Sequence, residues 1–508
     1  MKVVPILLHM LSLLSASLAS PAREQIFKVD DTDLPPTNPF HLANWLDGTK
    51  KAVLKGKQNL EKWYHDRRDF IKQNELLYEL LSLPSFDQHK LRITEPELCN
   101  TSVKQYSRYL DISDNKHLFF WFFESRSSPS TDPLILWING GPGCSSSLGL
   151  FFELSPCSIA NKGKNTTFNR HSWTSAANII FLDQPVDVGF SYADGHTTVD
   201  TSLVVGKDVY VFLQLFLLRF PEYAAQPFHV SGESYAGTYV VQCLIFIEFP
   251  KNTYYTYYSY VQWGSAADYA CNGPFPVFSN PEGPECTVLQ AKVAACQRML
   301  KWCYSSDTHL SCVTRPLMQT GLNPYDVHKK CNSLVEGLCY QEILHIATRL
   351  NDPKVKVALG VDPRRNFAMC NNDVTLRFMV QGDGVHNSAK LLSKLVDDSV
   401  QLLIYAGNAD MTYCNYMGNE RWLEGLESSF QNEFLAAEPE LWVTLDPFQF
   451  AGTVRRAGGS GGSTAANITF ITVWEAGHMV PFDQPEAALD LFEHWMSNTP
   501  IVTRAKGF

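Results

Sequence analysis

Beyond residue 90 the chain is written in short apolar runs that stop at Gly, Asn, Asp or Pro: KHLFFWFFESR (116–126), DPLILWING (132–140) and NIIFLDQP (178–185). Runs that are apolar on both faces predict buried strands rather than half-exposed ones. Between them lie segments with helical spacing, such as VVGKDVYVFLQLFLLRF (204–220). Buried strands alternating with helices predict an α/β fold, with a mostly parallel central sheet flanked by helices. Two late runs extend the pattern. QLLIYAGNAD (401–410) reads as another strand, and NITFITVWEAGHMVPFDQPEAALDLFEHW (467–495) reads as a strand, a loop and an amphipathic helix.

Three stretches break this pattern. KKAVLKGKQNLEKWYHDRRDFIKQNELLYELL (50–81) is charged, with apolar positions near helical spacing, and predicts an amphipathic helical arm. Residues 244–350 are irregular in texture and take up seven cysteines, which predicts a disulfide-rich insertion, or cap, within the α/β frame. RRAGGSGGSTAAN (455–467) is rich in Gly and Ser and reads as a flexible surface loop.

Composition narrows the class. The chain has 508 residues, 45% of them hydrophobic, and a formal net charge of −10. Such a balance offers no basic surface for nucleic acid or anionic lipid. Lys2, an apolar run to Leu14, and the small residues Ser17 and Ala19 predict a signal peptide over residues 1–19. That run is shorter than the roughly 20 residues of a membrane span, and none is predicted later. The 13 cysteines and the sequons at Asn100, Asn165 and Asn467 fit the oxidising secretory route.

HVSGESYAGTYVV (229–241) carries the candidate chemistry. A strand that turns sharply into a helix pushes its turn residue out at the carboxyl edge of the sheet, where ligands bind in open α/β folds. Such a turn crowds backbone against backbone, and Gly232, Ala236 and Gly237 supply small residues around Ser234. The match to G-x-S-x-G is imperfect, because Ala236 holds the last glycine position. Two later strand ends offer partners in the required order, Asp410 after QLLIYAGNA and His478 after FITVWEAG. An imidazole takes the serine proton and a buried carboxylate orients and stabilises that imidazole, so serine, acid and histidine in this order predict a nucleophilic triad. The backbone N–H after the nucleophile, that of Tyr235, and one from the loop in WINGGPGCSS (137–146) would form the oxyanion hole.

WINGGPGCSS, FLDQPVDVGFSY, HVSGESYAGTY, LLIYAGNAD and EAGHMVPFDQPEAAL together resemble the serine carboxypeptidases, and most closely the fungal carboxypeptidase Y branch. The likeness runs over about residues 95–240 and 265–500. It implies an α/β-hydrolase fold that removes single C-terminal residues, preferably hydrophobic, through an acyl-enzyme, with no cofactor or metal. By resemblance, Ser234 is the nucleophile, His478 the general base and Asp410 its orienting acid, with oxyanion N–H groups from Gly141 and Tyr235. Asn139, the Gly140 N–H and Glu233, supported by Glu153, would receive the substrate's terminal carboxylate. Phe152 and Met479 resemble the wall for the leaving residue. Tyr235 and the unpaired Cys414 resemble parts of the acyl-side pocket. A glutamate donates a hydrogen bond to a carboxylate only while protonated, so peptidase activity is expected to be greatest at acidic pH.

The resemblance further implies disulfides Cys144–Cys370, Cys271–Cys286, Cys303–Cys312 and Cys331–Cys339. It also implies a pro-segment over residues 20–90, a catalytic domain over 91–508, peptide or protein substrates, a monomer, and a vacuolar or extracellular destination.

The sequence departs from the family in three places. QCLIFIEFPKNTYYTYYSYVQWGSAADY (242–269) lacks the expected return strand with its Gly-Asn-Gly turn, which predicts a missing central strand. Cys296 lacks its partner because VTRPLMQTGLNPYD (313–326) is shortened, and one extra residue separates Asp410 from Cys414. Two other readings share the scaffold: a catalytically weak, protective homologue, and an esterase or acyltransferase.

Overall fold

The computed structural model describes residues 68–504 apart from 74–75, 84–85, 100–101, 196, 248–252, 256–259, 306–320, 332–336, 386–388, 446 and 460–463. The predicted signal peptide, most of the predicted pro-segment and the Asn100 sequon lie outside the described residues.

The apolar runs form one sheet of 15 strands. Its centre is parallel and runs, in spatial order, Asn178–Leu182, Leu134–Asn139, Phe228–Glu233, Thr253–Tyr255, Leu402–Gly407 and Ile468–Val473. Antiparallel strands extend both edges: Phe86–Thr94, Gln105–Ser113 and Lys116–Phe123 on one side, Phe448–Ala457 and Glu440–Leu445 on the other.

Alternation within each run explains why the strands are apolar throughout. Phe120, Phe122, Leu134, Leu136 and Ile138 pack on one face beneath the helix Ser202–Arg219, through Val209, Phe212, Leu213 and Phe216. Phe119, Trp121, Phe123, Ile135 and Trp137 belong to the cluster on the other face, with Leu491, Phe492 and Trp495 of the helix Pro485–Met496. Removing one such aromatic side chain to alanine costs about 3–5 kcal/mol in a well-packed core.

Three expectations are corrected. Arg68–Gln73 and Leu76–Leu83 are strands, not parts of a helical arm, and they join the sheet through Phe86–Thr94. The open edge of that strand offers a row of backbone partners, and sheet pairing overrides a local helical spacing. The domain boundary drawn at residues 90 and 91 therefore falls inside a strand.

The missing central strand is present in short form. Thr253–Tyr255 occupies its place, pairing with Val230 on one side and with Leu402, Leu403 and Ile404 on the other. Buried backbone groups need partners, and even three residues supply some of them.

The start of the Gly/Ser-rich segment is also strand. Arg455 and Arg456 belong to Phe448–Ala457, where Arg455 is buried and forms ion pairs with Glu420 and Glu424.

The irregular insertion contains the helices Tyr260–Asn272, Pro284–Ser305 and Gln341–Leu350, and a small two-stranded sheet of Leu322–Asn323 and Asp326–Lys330.

Candidate active site

The serine strand Phe228–Glu233 lies parallel to Leu134–Asn139, with Glu233 opposite Asn139. Ser234 follows with a φ of 61°, a left-handed conformation that costs a non-glycine residue about 1–3 kcal/mol and clusters at active sites. The helix Ala236–Ile247 starts two residues later. The crowding foreseen from the sequence is severe. A methyl group on Gly232 would stand 2.8 Å from both the Ala236 and Val240 side chains. One on Gly140 would stand 2.5 Å from the Tyr235 backbone nitrogen. The loop after Leu134–Asn139 is therefore pressed against the N–H that follows Ser234, with Gly141 at a φ of 113°.

Asp410 and His478 leave neighbouring parallel strands, Leu402–Gly407 and Ile468–Val473, which end in register at Gly407 and Val473. Backbone bonds from Asn408 to Val473 (2.9 Å) and from Ala409 to Ala476 (2.8 Å) keep the two loops together. The Asp410 Oδ2 atom is 2.6 Å from His478 Nδ1, and the Asp410 side chain is 1% exposed. The same carboxylate accepts N–H groups from Thr412, Tyr413 and Cys414, which fixes its direction. Burial lowers the His478 pKa, but Asp410, joined by Cys414, outweighs it and holds the imidazole well above its usual value. Burial pushes the Cys414 thiol up, and the neighbouring His478 pulls it back in part. Ser234, Asp410 and His478 thus leave the carboxyl ends of three parallel strands of one sheet.

Asn139 is buried between two duties. Its Oδ1 accepts the Trp137 indole N–H (2.8 Å) and the Gly149 N–H (3.0 Å), and its Nδ2 donates to Glu233 Oε1 at 3.2 Å. Glu153, in the helical turn Gly149–Leu154, is 4% exposed and Glu233 is 6% exposed. Burial raises both carboxyl pKa values, and the Glu233 charge lifts Glu153 further. The proximity of His478 partly offsets the rise at Glu233.

Phe152 stacks on Phe482 at 3.9 Å and meets Tyr340 edge-on at 5.6 Å, while Met479 is buried in the same cluster. Phe482 and Tyr340 were not foreseen from the sequence, although Phe482 lies inside the MVPFDQP text and Tyr340 adjoins Cys339. The Tyr235 ring is buried, and its hydroxyl donates to Asp383 Oδ2 at 2.7 Å. Asp383 also accepts the Ser202 N–H at the start of the long helix.

Cys144–Cys370, Cys271–Cys286 and Cys331–Cys339 are bonded. Cys303–Cys312 falls outside the described residues, as does the Cys296 side chain. A further bridge, Cys99–Cys157, joins residues 58 apart and had no local signal. Cys243 and Cys414 are free and buried. Asn165 is exposed, and Asn467 accepts the Gly459 N–H through its side chain. The ligand atoms of Asp410, Cys414 and His478 lie within 4.8 Å of one another, a set that could hold a metal ion at the expense of the acid–histidine contact.

A mixed sheet with a parallel centre, carrying a serine on a strained strand-to-helix turn followed in chain order by a buried acid and a histidine, defines an α/β-hydrolase. The family model for serine carboxypeptidases matches residues 96–253 and 266–498, so the chain belongs to the serine carboxypeptidase family. The interruption in that match falls within the stretch that departs from the family text. The chain is 38% identical over 460 residues to carboxypeptidase Y of Schizosaccharomyces pombe, covering 83% of this chain but 44% of the relative. It is 38% identical to the vacuolar serine-type carboxypeptidase ATG42 of Saccharomyces cerevisiae, covering 80% of this chain and 82% of the relative. Carboxypeptidase Y homolog A of Talaromyces stipitatus is 40% identical, with 78% and 72% covered. Among solved structures, Kex1(delta)p, a prohormone-processing carboxypeptidase from Saccharomyces cerevisiae, matches in fold. Its TM-score is 0.66 at 22% identity, and the match covers 83% of this chain and 98% of that one. The protein is a serine-type carboxypeptidase.

Proposed function

We propose that the chain trims single, preferably hydrophobic, residues from the C-termini of peptides and proteins, most efficiently at acidic pH. Ser234 attacks the last peptide carbonyl while His478 takes its proton, and Asp410 holds the resulting imidazolium. The N–H groups of Gly141 and Tyr235 receive the oxyanion, and His478 then protonates the departing amine. Water repeats the sequence on the acyl-enzyme. Asn139, the Gly140 N–H and Glu233, backed by Glu153, bind the terminal carboxylate. Phe152 and Met479 wall the leaving residue, and Tyr235 and Cys414 border the acyl side.

The observation that carries this reading is the buried Asn139–Glu233 contact at 3.2 Å, with Glu153 raised beside it. A carboxyl pair that keeps a proton can donate to a substrate carboxylate, whereas an ionised pair repels it. Because both carboxyl pKa values are raised, the proton is present at low pH and lost as pH climbs, so the KM of a free peptide rises with pH. The raised His478 works the other way, since a base held above its usual value loses kcat toward acid, and the acidic preference proposed here requires the carboxyl pair to outweigh it.

The test compares an N-blocked hydrophobic dipeptide acid with its C-terminal amide, in wild type and Glu233→Gln, between about pH 5 and 8. The acid's KM should rise in wild type and respond less to pH in the variant, while the amide's KM stays level. A KM for the acid that does not rise over this range contradicts the reading.

The vacuolar name of one relative, the signal-like residues 1–19 and the sequons favour a vacuolar or extracellular destination. A pro-segment then lies ahead of the strands that join the sheet, and the mature enzyme acts as a monomer. No helix among the described residues is long and apolar enough to cross a membrane.

A further inference from the structure

The short hairpin of the insertion touches both loops that carry the acid and the histidine. The Tyr325 carbonyl accepts the His478 N–H at 2.7 Å, and the Val327 N–H donates to Ala409 at 3.1 Å. These two backbone bonds reach the peptide groups at His478 and immediately before Asp410. The fit allows no side chain, since a methyl on Gly477 would stand 2.5 Å from the Tyr325 oxygen and 2.6 Å from Asp326 Cβ.

Lys329, at the end of this hairpin, sits between two carboxylates that are almost fully buried. Its Nζ is 2.6 Å from Asp483 Oδ1 and 2.8 Å from Asp326 Oδ2. The other oxygen of Asp483 accepts the Gly477 N–H at 2.9 Å. The same ammonium lies 4.9 Å from the Tyr340 ring centre and 5.2 Å from that of Phe482, the rings that pack on Phe152. One cation therefore touches the hairpin, the histidine loop and the aromatic wall.

We propose that Lys329 is a positioning residue which, through Asp483 and Asp326, holds the His478 loop and the leaving-residue wall in their working places. The proposal rests on His478 being the general base of the proposed function. Lys329 does not reach the reacting atoms; it acts through the Gly477 peptide and the Phe482 ring. Without it, Asp326 and Asp483 face each other as like charges, and the acceptor of the Gly477 N–H weakens.

A pH signature follows. Burial raises the Asp483 carboxyl and Lys329 holds it down in part. Asp326 also bears on it as a negative group, the raised Glu153 and Tyr340 face it from the neighbouring elements, and His328 and Glu475 complete the surroundings. Removing the cation lets Asp483 take a proton at higher pH, so the acid limb of the rate profile moves upward.

The experiment measures fluorophosphonate labelling of Ser234 and release of the terminal amino acid per labelled site, for wild type, Lys329→Met and Lys329→Arg across pH. We expect Lys329→Met to label and turn over about tenfold or more slowly, with its acid limb at higher pH, and Lys329→Arg to recover both. A purely structural role would lower yield or melting temperature without changing the rate per site or the limb. That result overturns the proposal.

If Lys329→Met yields no folded protein, Asp483→Asn carries the test, because it keeps an oxygen for Gly477 and loses the charge. An unchanged rate per site in that variant overturns the proposal. Wild type that labels rapidly but releases no amino acid would overturn the peptidase reading alone, since the labelling comparison still stands. Folded wild type that does not label overturns both.

Discussion

The two halves of the candidate catalytic rim are held in different ways. On the Ser234 side, everything that matters is close in sequence or in adjacent strands. The turn 232–236 is set by its own small residues, and the loop 139–143 presses on it from the neighbouring strand. On the Asp410 and His478 side, the loops are braced by a hairpin from the insertion, through Tyr325 and Val327. The first half is a local device of backbone strain and close approach. The second needs a third element, because the loops after two adjacent strands are tied through a hairpin that lies outside the main sheet.

The largest expected effect comes from breaking the local half. Gly140→Ala would drive a methyl into the Tyr235 N–H, 2.5 Å away, and displace the donor proposed for the oxyanion. A loss of about 10²–10³ in kcat is expected, with folding retained by circular dichroism. A kcat within a factor of about two of wild type would show that this loop does not shape the hole.

Breaking the braced half should cost less, because the clash falls on the bracing hairpin and not on the N–H that follows Ser234. Gly477→Ala is expected to lower kcat by up to about 100-fold and to lower the unfolding midpoint in urea. The sharper outcome is the comparison itself. If Gly477→Ala exceeds Gly140→Ala in its effect on kcat, the brace is the more demanding half.

The smallest effect lies beneath the serine side. Asp183 accepts N–H groups from Ser146 and Phe190 and a hydroxyl from Ser145. Burial lifts its carboxyl to about 6, against the pull of these bonds. Since an unfolded aspartate titrates near 3.9, the native state binds the extra proton between these values. Stability contributed by this group is therefore full at low pH and is lost as pH rises through the folded pKa. Asp183→Asn should cost about 1–3 kcal/mol and flatten the dependence of urea stability on pH over that window. A slope equal to that of wild type would contradict the assignment.

How much of this was legible in the sequence follows the same division. The run GESYA, the glycine loop and the two strand-ending loops carry local signals, because a tight turn needs small residues and a buried strand needs an apolar run. The alternation of Phe119 to Phe123 was readable as a two-faced strand for the same reason. The hairpin at 322–330 was not, since its importance lies in two backbone bonds to distant loops. Cys99–Cys157 was missed because no spacing rule connects residues 58 apart. The strands Arg68–Gln73 and Leu76–Leu83 carry a leucine spacing that mimics a helix, and only the neighbouring strand edge decides otherwise. Thr253–Tyr255 shows the reverse case, in which the family text is lost and a three-residue strand still fills the place.

The central claim is that Ser234 drives the release of one residue at a time from a free C-terminus. The most direct measurement is the release of the terminal amino acid from an N-blocked hydrophobic dipeptide by purified, processed protein at about pH 5, wild type beside Ser234→Ala. The account predicts release by wild type, and a loss of about 10⁶-fold in a variant that remains folded. Release that survives in Ser234→Ala, or a folded wild type that releases nothing, would contradict it.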